Sequence, residues 1–99
     1  MEFSFLSPAR SELEEAIAYY NQQRDGLGDE FAAEVYRTIG RVQLHPHAWA
    51  KLSRRTRRCR TKRFPYGVIY QIRPEGILIV AISHLLRKPT HWQDRVARL

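Results

Sequence analysis

The sequence predicts an α+β fold: an N-terminal strand, an antiparallel helix hairpin packed on a small antiparallel β-sheet, and a short C-terminal helix. Two stretches before residue 45 carry apolar residues at 3.6-residue spacing. After residue 56 the chain alternates or runs apolar, as strands do. Turn signals separate these runs at "DGLG" (25–28) and "RPEG" (73–76). Helices followed by strands suit a layer of helices on a meander. At 99 residues the chain is expected to form one domain, 1–99.

The elements follow in order. "EFSFLS" (2–7) sets Phe3 and Phe5 on one face, a short strand. Ser7 can cap a first helix over about 8–24, with Pro8 at its first position and Leu13, Ala16, Ile17 and Tyr20 as its stripe. A second helix starts at Gly28 or Asp29 and carries Phe31, Val35, Ile39 and Val42. His45-Pro46 ends it, because a residue before proline is pushed out of helical geometry. Gly40, inside this helix, is expected to allow close packing against the first. A loop over 46–55 is anchored by Trp49 and Leu52.

From Thr56 to Phe64 the chain is extended. Cys59 and Thr61 face inward, and Arg58, Arg60 and Lys62 face outward on a free sheet surface. "PYGVIYQI" is the next strand, and "ILIVAISH" (77–84), apolar on both faces, is the central one. "KPTHWQDRVARL" forms the last helix, with Thr90 as its cap and Trp92 and Val96 on one face.

The net charge of +7 is unevenly spread. Residues 1–40 hold three basic against eight acidic residues, and residues 41–99 hold fourteen against two. The halves are therefore −5 and +12, which suggests a polyanionic target or an acidic partner. A solvated basic face is the bland alternative. One cysteine permits no internal disulfide, and the N-terminus lacks a signal peptide's pattern. A soluble, cytoplasmic protein with no membrane association is expected.

Several chemistries find no support in the residues. His45 and His47 lie in a loop without a paired cysteine or aspartate, so no metal site is expected. Cys59, in mid-strand, reads as a small buried hydrophobe rather than a nucleophile. "GLGDEF" lacks the lysine and spacing of a phosphate-binding loop, and no cofactor is expected. What remains is a positive concavity: Arg54, Arg55, Arg57, Arg58, Arg60, Lys62 and Arg63, joined by Arg87 and Lys88. Tyr66, Tyr70, His84, His91 and Trp92 stand near the same end, with core packing the stronger reading for Tyr70. Basic groups interleaved with aromatics can hold a phosphate backbone and stack bases. Arginine and histidine can also serve a metal-free ribonuclease.

"LEEAIAYYNQQRDGLGDEFAAEV", "RFPYGVIYQI" and "ILIVAISHLLRKPTHWQDR" together resemble the RelE/ParE superfamily of type II toxin–antitoxin toxins, the plasmid-stabilisation type, over about residues 9–95. FPY (64–66) with the downstream H-x-x-R-x-P-x-x-W (84–92) is the most specific combination. The resemblance implies this same fold and a toxin held inactive by an acidic-tailed antitoxin in a hetero-oligomer. Within the superfamily, RelE-like members cut mRNA on the ribosome and ParE-like members poison gyrase. Carrying over the RelE-type positions gives Arg58, Arg60, His84 and Arg87 as the catalytic set of a ribonuclease. Gly67 stands where that set has an arginine, and Trp92 or Gln93 where it has a tyrosine. The resemblance is thus closer to ParE-like members. The candidate binding face read from the residues themselves is Arg54, Arg55, Arg57, Arg58, Arg60, Lys62, Arg63, Tyr66, Arg87, Lys88 and Trp92. Gyrase is the implied target, with ribosome-bound mRNA the alternative. A member that retains only its antitoxin as partner is the third reading.

Overall fold

A computed structural model describes residues 1–99, except for the side chain of Thr90. Its elements are β1 (Phe3–Phe5), α1 (Ser7–Gln23), α2 (Leu27–Leu44), β2 (Ala50–Lys51), β3 (Arg57–Arg60), β4 (Tyr66–Arg73), β5 (Gly76–His84) and α3 (Thr90–Ala97). The sheet order is β1-β5-β4-β3-β2. All pairings are antiparallel except β1 with β5, which is parallel. The α+β architecture is as expected, but the sheet is mixed. The chain must cross from β1 through both helices before β5, and such a crossover can return it in parallel.

The main core lies between the helix hairpin and one sheet face: Leu13 and Ala16 of α1, Phe31, Val35 and Ile39 of α2, and Val68, Tyr70, Ile77, Ile79 and Ile82 of the sheet. A smaller cluster lies on the other face, where Trp92 and Val96 of α3 pack on Ile69, Val80 and Ala81. The outer face is therefore partly covered by α3, not free as expected. A bulge explains how β5 serves both layers. Ile69 pairs with Ala81 and Tyr70 with Ile79, so Val80 has no partner in β4. An extra residue shifts the period-two alternation. Val80 and Ala81 both join the outer cluster, while Ile77, Ile79 and Ile82 all join the main core.

Several local expectations need correction. Ser7 is the first helical residue, not the cap; Leu6 occupies that position without a side-chain cap bond. Thr90 is likewise the first helical residue of α3, and Pro89 occupies the cap position read for it. Helix α2 begins at Leu27, after Gly26 in the left-handed region at φ 85°. Gly40 has open space where a Cβ would stand. The close approach is at Gly28, where a Cβ would collide with the Ile17 carbonyl oxygen and the Asn21 side chain. Asn21 Oδ1 accepts the Gly28 N–H at 2.7 Å, which satisfies one of the unpaired donors of the helix start. The strand read over 56–64 is shorter, Arg57–Arg60, and Ala50–Lys51 in the expected loop pairs with it.

Two mostly buried carboxylates position the basic segments. Glu12 on α1 accepts both prongs of Arg95 from α3, at 2.9 and 2.8 Å. It also accepts the backbone N–H of Ile82, at 3.1 Å. Arg87 and His91 lie at 3.6 Å from the same carboxylate. Glu34 on α2 accepts the backbone N–H of Lys62 at 2.6 Å and pairs with Arg37 and Arg41. It ties the loop after β3 to the helix layer. Burial pushes the Glu34 carboxyl up, but the Lys62 amide, Arg37 and Arg41 outweigh burial and hold it below its ordinary value of 4.5.

Three stability predictions follow from this packing. Gly28→Ala forces the hairpin apart and costs about 1–3 kcal/mol. Gly40→Ala gains about 0.5–1 kcal/mol of helix stability; urea melts of both variants measure the contrast. Glu12→Ala leaves a mostly buried guanidinium and the Ile82 amide unpaired and costs about 3–5 kcal/mol. Glu15→Ala, at an exposed position, stays within about 0.5 kcal/mol on the same melts. Because the Glu34 carboxyl is depressed, its stabilising contribution is complete above the unfolded value. It is lost as pH falls from there through the folded value. Glu34→Gln therefore lowers the melting temperature at pH 7, and its difference from the parent shrinks on acidification.

Candidate functional site

The basic run does not form one concavity. Strand β3 is only four residues long, and its two ends lead to different places. At the end that meets the β4–β5 turn, Lys51, Arg54, Arg55, Arg57 and Arg73 line a cleft of about 590 Å³, with His47 at its edge. At the opposite end, Arg58, His84 and Arg87 line a groove of about 220 Å³ on the outer sheet face, beside Ile69 and Trp92. Alternation along β3 explains the split: Arg57, paired with Lys51 and Tyr70, lies on the helix side, whereas its neighbour Arg58, paired with Ile69, lies on the outer side and reaches over Gly67.

Not all of these cations are available. Arg57 Nη1 donates to the carbonyls of His47 and Trp49, at 2.9 and 2.8 Å. Arg63 pairs with Glu30 at 2.9 Å, and Arg87 faces Glu12. Among the described residues, Arg54, Arg55, Arg58, Arg60, Lys62 and Lys88 have no ion-pair partner. Arg58 is half-buried because its stem lies over Gly67, where a Cβ would come within 2.7 Å of it. Burial, then the charge of Arg60, lowers the Arg58 guanidinium from its ordinary value.

The aromatic members are mostly structural. Trp92 is 2% exposed and holds α3 to the sheet, so it is not the open binding residue expected of it. Tyr70 is fully buried, donates to the Pro46 carbonyl at 2.6 Å, and burial pushes its hydroxyl up to about 12. Tyr66 is half-buried; its ring meets Phe31 at 4.8 Å and His84 at 5.3 Å, both edge-on. Burial also pushes the Tyr66 hydroxyl up, so it stays neutral. Cys59 is 1% exposed, and burial pushes its thiol up, as befits an inert core residue.

The ribonuclease-type set is brought together only in part. Arg58, His84 and Arg87 share the groove, and Arg60 lies farther along β3 at an exposed position. The Leu86 N–H donates to His84 Nδ1 at 3.1 Å, which assigns the ring proton to Nε2. A histidine held so has no free lone pair with which to accept a proton from a hydroxyl. Among the described residues no group of three metal-ligating side chains converges. Sequence reasoning missed Lys51, Arg73, Glu12 and Glu34. The two glutamates were nevertheless signalled. Glu12 falls between Ala9 and Ala16 on the buried stripe of α1, and Glu34 between Phe31 and Thr38 on that of α2.

A solved structure described as the chromosomal ParDE TA system from P. aeruginosa is similar to the chain with a TM-score of 0.74 and 14% identity. The likeness covers 85% of this chain and 95% of that one, and it bears on the fold. A search of the curated proteins finds no match. The family model for the ParE toxin of the type II toxin-antitoxin system, parDE, matches residues 3–89. The chain therefore belongs to the ParE toxin family of type II toxin–antitoxin systems.

Proposed function

We propose that this ParE-family chain, acting as one domain in the cytoplasm, inhibits growth by binding a DNA-linked target, with gyrase the foremost candidate. A cognate antitoxin with an acidic segment neutralises it in a hetero-oligomer. The observation that carries the reading is the state of the outer groove. The position of the ribonuclease arginine is Gly67, covered by the stem of Arg58. The position of the catalytic tyrosine falls at buried Trp92 or at Gln93, and His84 Nδ1 is occupied. Loss of one preorganised charge-stabilising donor alone slows a reaction about 10²–10³-fold. A binding role needs none of these groups. It needs unpaired surface charge, and Arg58, Arg60 and Lys88 supply it.

The deciding measurement is a pair of assays on the purified chain. Gyrase supercoiling should be inhibited, and mRNA on programmed ribosomes should stay intact. Codon-specific cuts with supercoiling unaffected would establish the ribonuclease reading instead. Arg58→Ala with Arg60→Ala should stay folded, at a cost of about 1 kcal/mol for the lost packing of the Arg58 stem, and lose growth inhibition. Ile79→Ala, which empties part of the core, costs about 2–5 kcal/mol and loses inhibition by unfolding. A fully toxic Arg58/Arg60 variant with a normal melt would move the active surface off this face.

A further inference from the structure

The larger cleft, at the opposite end of β3 from the groove, has a charge pattern that calls for a ligand of its own. Residues 35–74 contain eleven lysines and arginines and no acid. Five of them meet at this cleft, and no aspartate or glutamate lines it. Arg73 is partly offset by Glu75, at 3.7 Å on the rim. Lys51, Arg54, Arg55 and Arg57 have no such partner among the described residues. Arg57 is also fixed in place. Its Nη1 is held by two carbonyls, which leaves Nη2 and Nε as donors with a set direction.

We propose that this cleft binds the phosphate backbone of duplex nucleic acid. Four features favour that ligand class over others. The cations are mostly arginine, whose planar fork matches phosphate oxygens. No phenylalanine, tyrosine or tryptophan lines the cleft, so it has no platform for the unstacked bases of a single strand. Apolar lining is confined to Ile72, Pro74 and Leu99, too little to anchor the hydrophobic face of a peptide helix. The cleft, at about 590 Å³, also exceeds the volume of two phosphate groups. The proposal does not depend on gyrase, because the site would hold a duplex with no other protein present.

Fluorescence anisotropy with a labelled DNA duplex of about 20 base pairs tests it. Neutralising four phosphates predicts a log–log salt slope of about −3 to −4, a loss of about 10²-fold in affinity from about 50 to about 200 mM salt. Arg54→Ala with Arg55→Ala removes two contacts and should bring the slope to about −2. Both side chains are exposed and make no hydrogen bond or ion pair among the described residues, so this variant folds. Arg10→Ala with Arg24→Ala removes the same charge from α1 and its end, and should leave the slope unchanged. Equal losses in the two variants would mean diffuse attraction and overturn the site. So would tighter binding of a single strand of equal length, or displacement of the duplex by polyglutamate at equal charge. Gyrase is absent from this assay, so its failure leaves the proposed target untouched, and the reverse holds as well.

Discussion

The Glu12–Arg95 pair is the constraint on which the arrangement of layers depends. Strand β1 pairs with β5 only from Ile77 to Ile79, and the last backbone bond on that edge runs from the Leu6 N–H to the Ile79 carbonyl. Beyond it, β5 would be an open edge inside the protein. An unpaired, buried backbone group costs as much as a lost hydrogen bond. The bulge at Val80 and the two charged side chains resolve this together. Arg95 Nη1 donates to the Val80 carbonyl at 3.0 Å, and Glu12 Oε1 accepts the Ile82 N–H at 3.1 Å. An ion pair thus continues the ladder where a strand has run out. Mostly buried ion pairs are costly to desolvate, and this one is offset because Glu12 Oε1 also accepts the Ile82 N–H and Arg95 Nη1 also donates to the Val80 carbonyl.

The same pair joins elements that are distant in the chain. Glu12 belongs to α1 on one side of the sheet, and Arg95 to α3, whose Trp92 packs on the other side. The guanidinium crosses at the edge left by β1. Arg87 and His91 approach the carboxylate as well, so the whole segment after β5 is gathered around one acid. This bears on how the basic end is presented. Lys88 stands in the turn between these anchored residues, and the groove around Arg58 takes its wall from Trp92 and Pro89. The geometry of the candidate binding face is therefore set from below by a residue of the first helix.

What was legible in the sequence was what hydrophobic period alone determines. The two helix stripes, the buried, interior character of 77–84 (the central strand itself is β4), the inward Cys59 and the α+β layering all follow from which residues must leave water. Period-two logic failed where the backbone departed from it. No pattern in "ILIVAISH" distinguishes a straight strand from one that bulges at Val80, since every residue around the bulge is apolar. The parallel pairing of β1 rests on three residues and the length of a crossover, which composition does not encode. Glycine was misread for a related reason. Gly40 and Gly28 look alike in sequence, yet only Gly28 lies where the helices cross, and that depends on the hairpin angle. The basic residues were found, but not their division. Which arginine is spent on a carbonyl or a carboxylate depends on register, and register was not available from charge spacing.

That division separates two explanations of the basic run. Short, cationic edge strands guard a sheet against pairing with another chain, and β2, two residues long and next to β3, fits that description. Edge protection asks only for charge near the edge, however it is compensated. The chain does something more particular. Glu14, Glu15, Asp25 and Asp29 are exposed, yet all lie on the helix hairpin, while Arg54, Arg55, Arg58 and Arg60 stay unpaired around β3. Apart from Glu2, Glu75 and Asp94, the exposed acids are held on the helix layer, away from β3. Self-repulsion among the cations lowers stability, and a field of one sign over a concave surface raises the local concentration of a polyanion. The segregation is therefore better explained by attraction of a partner than by protection of an edge.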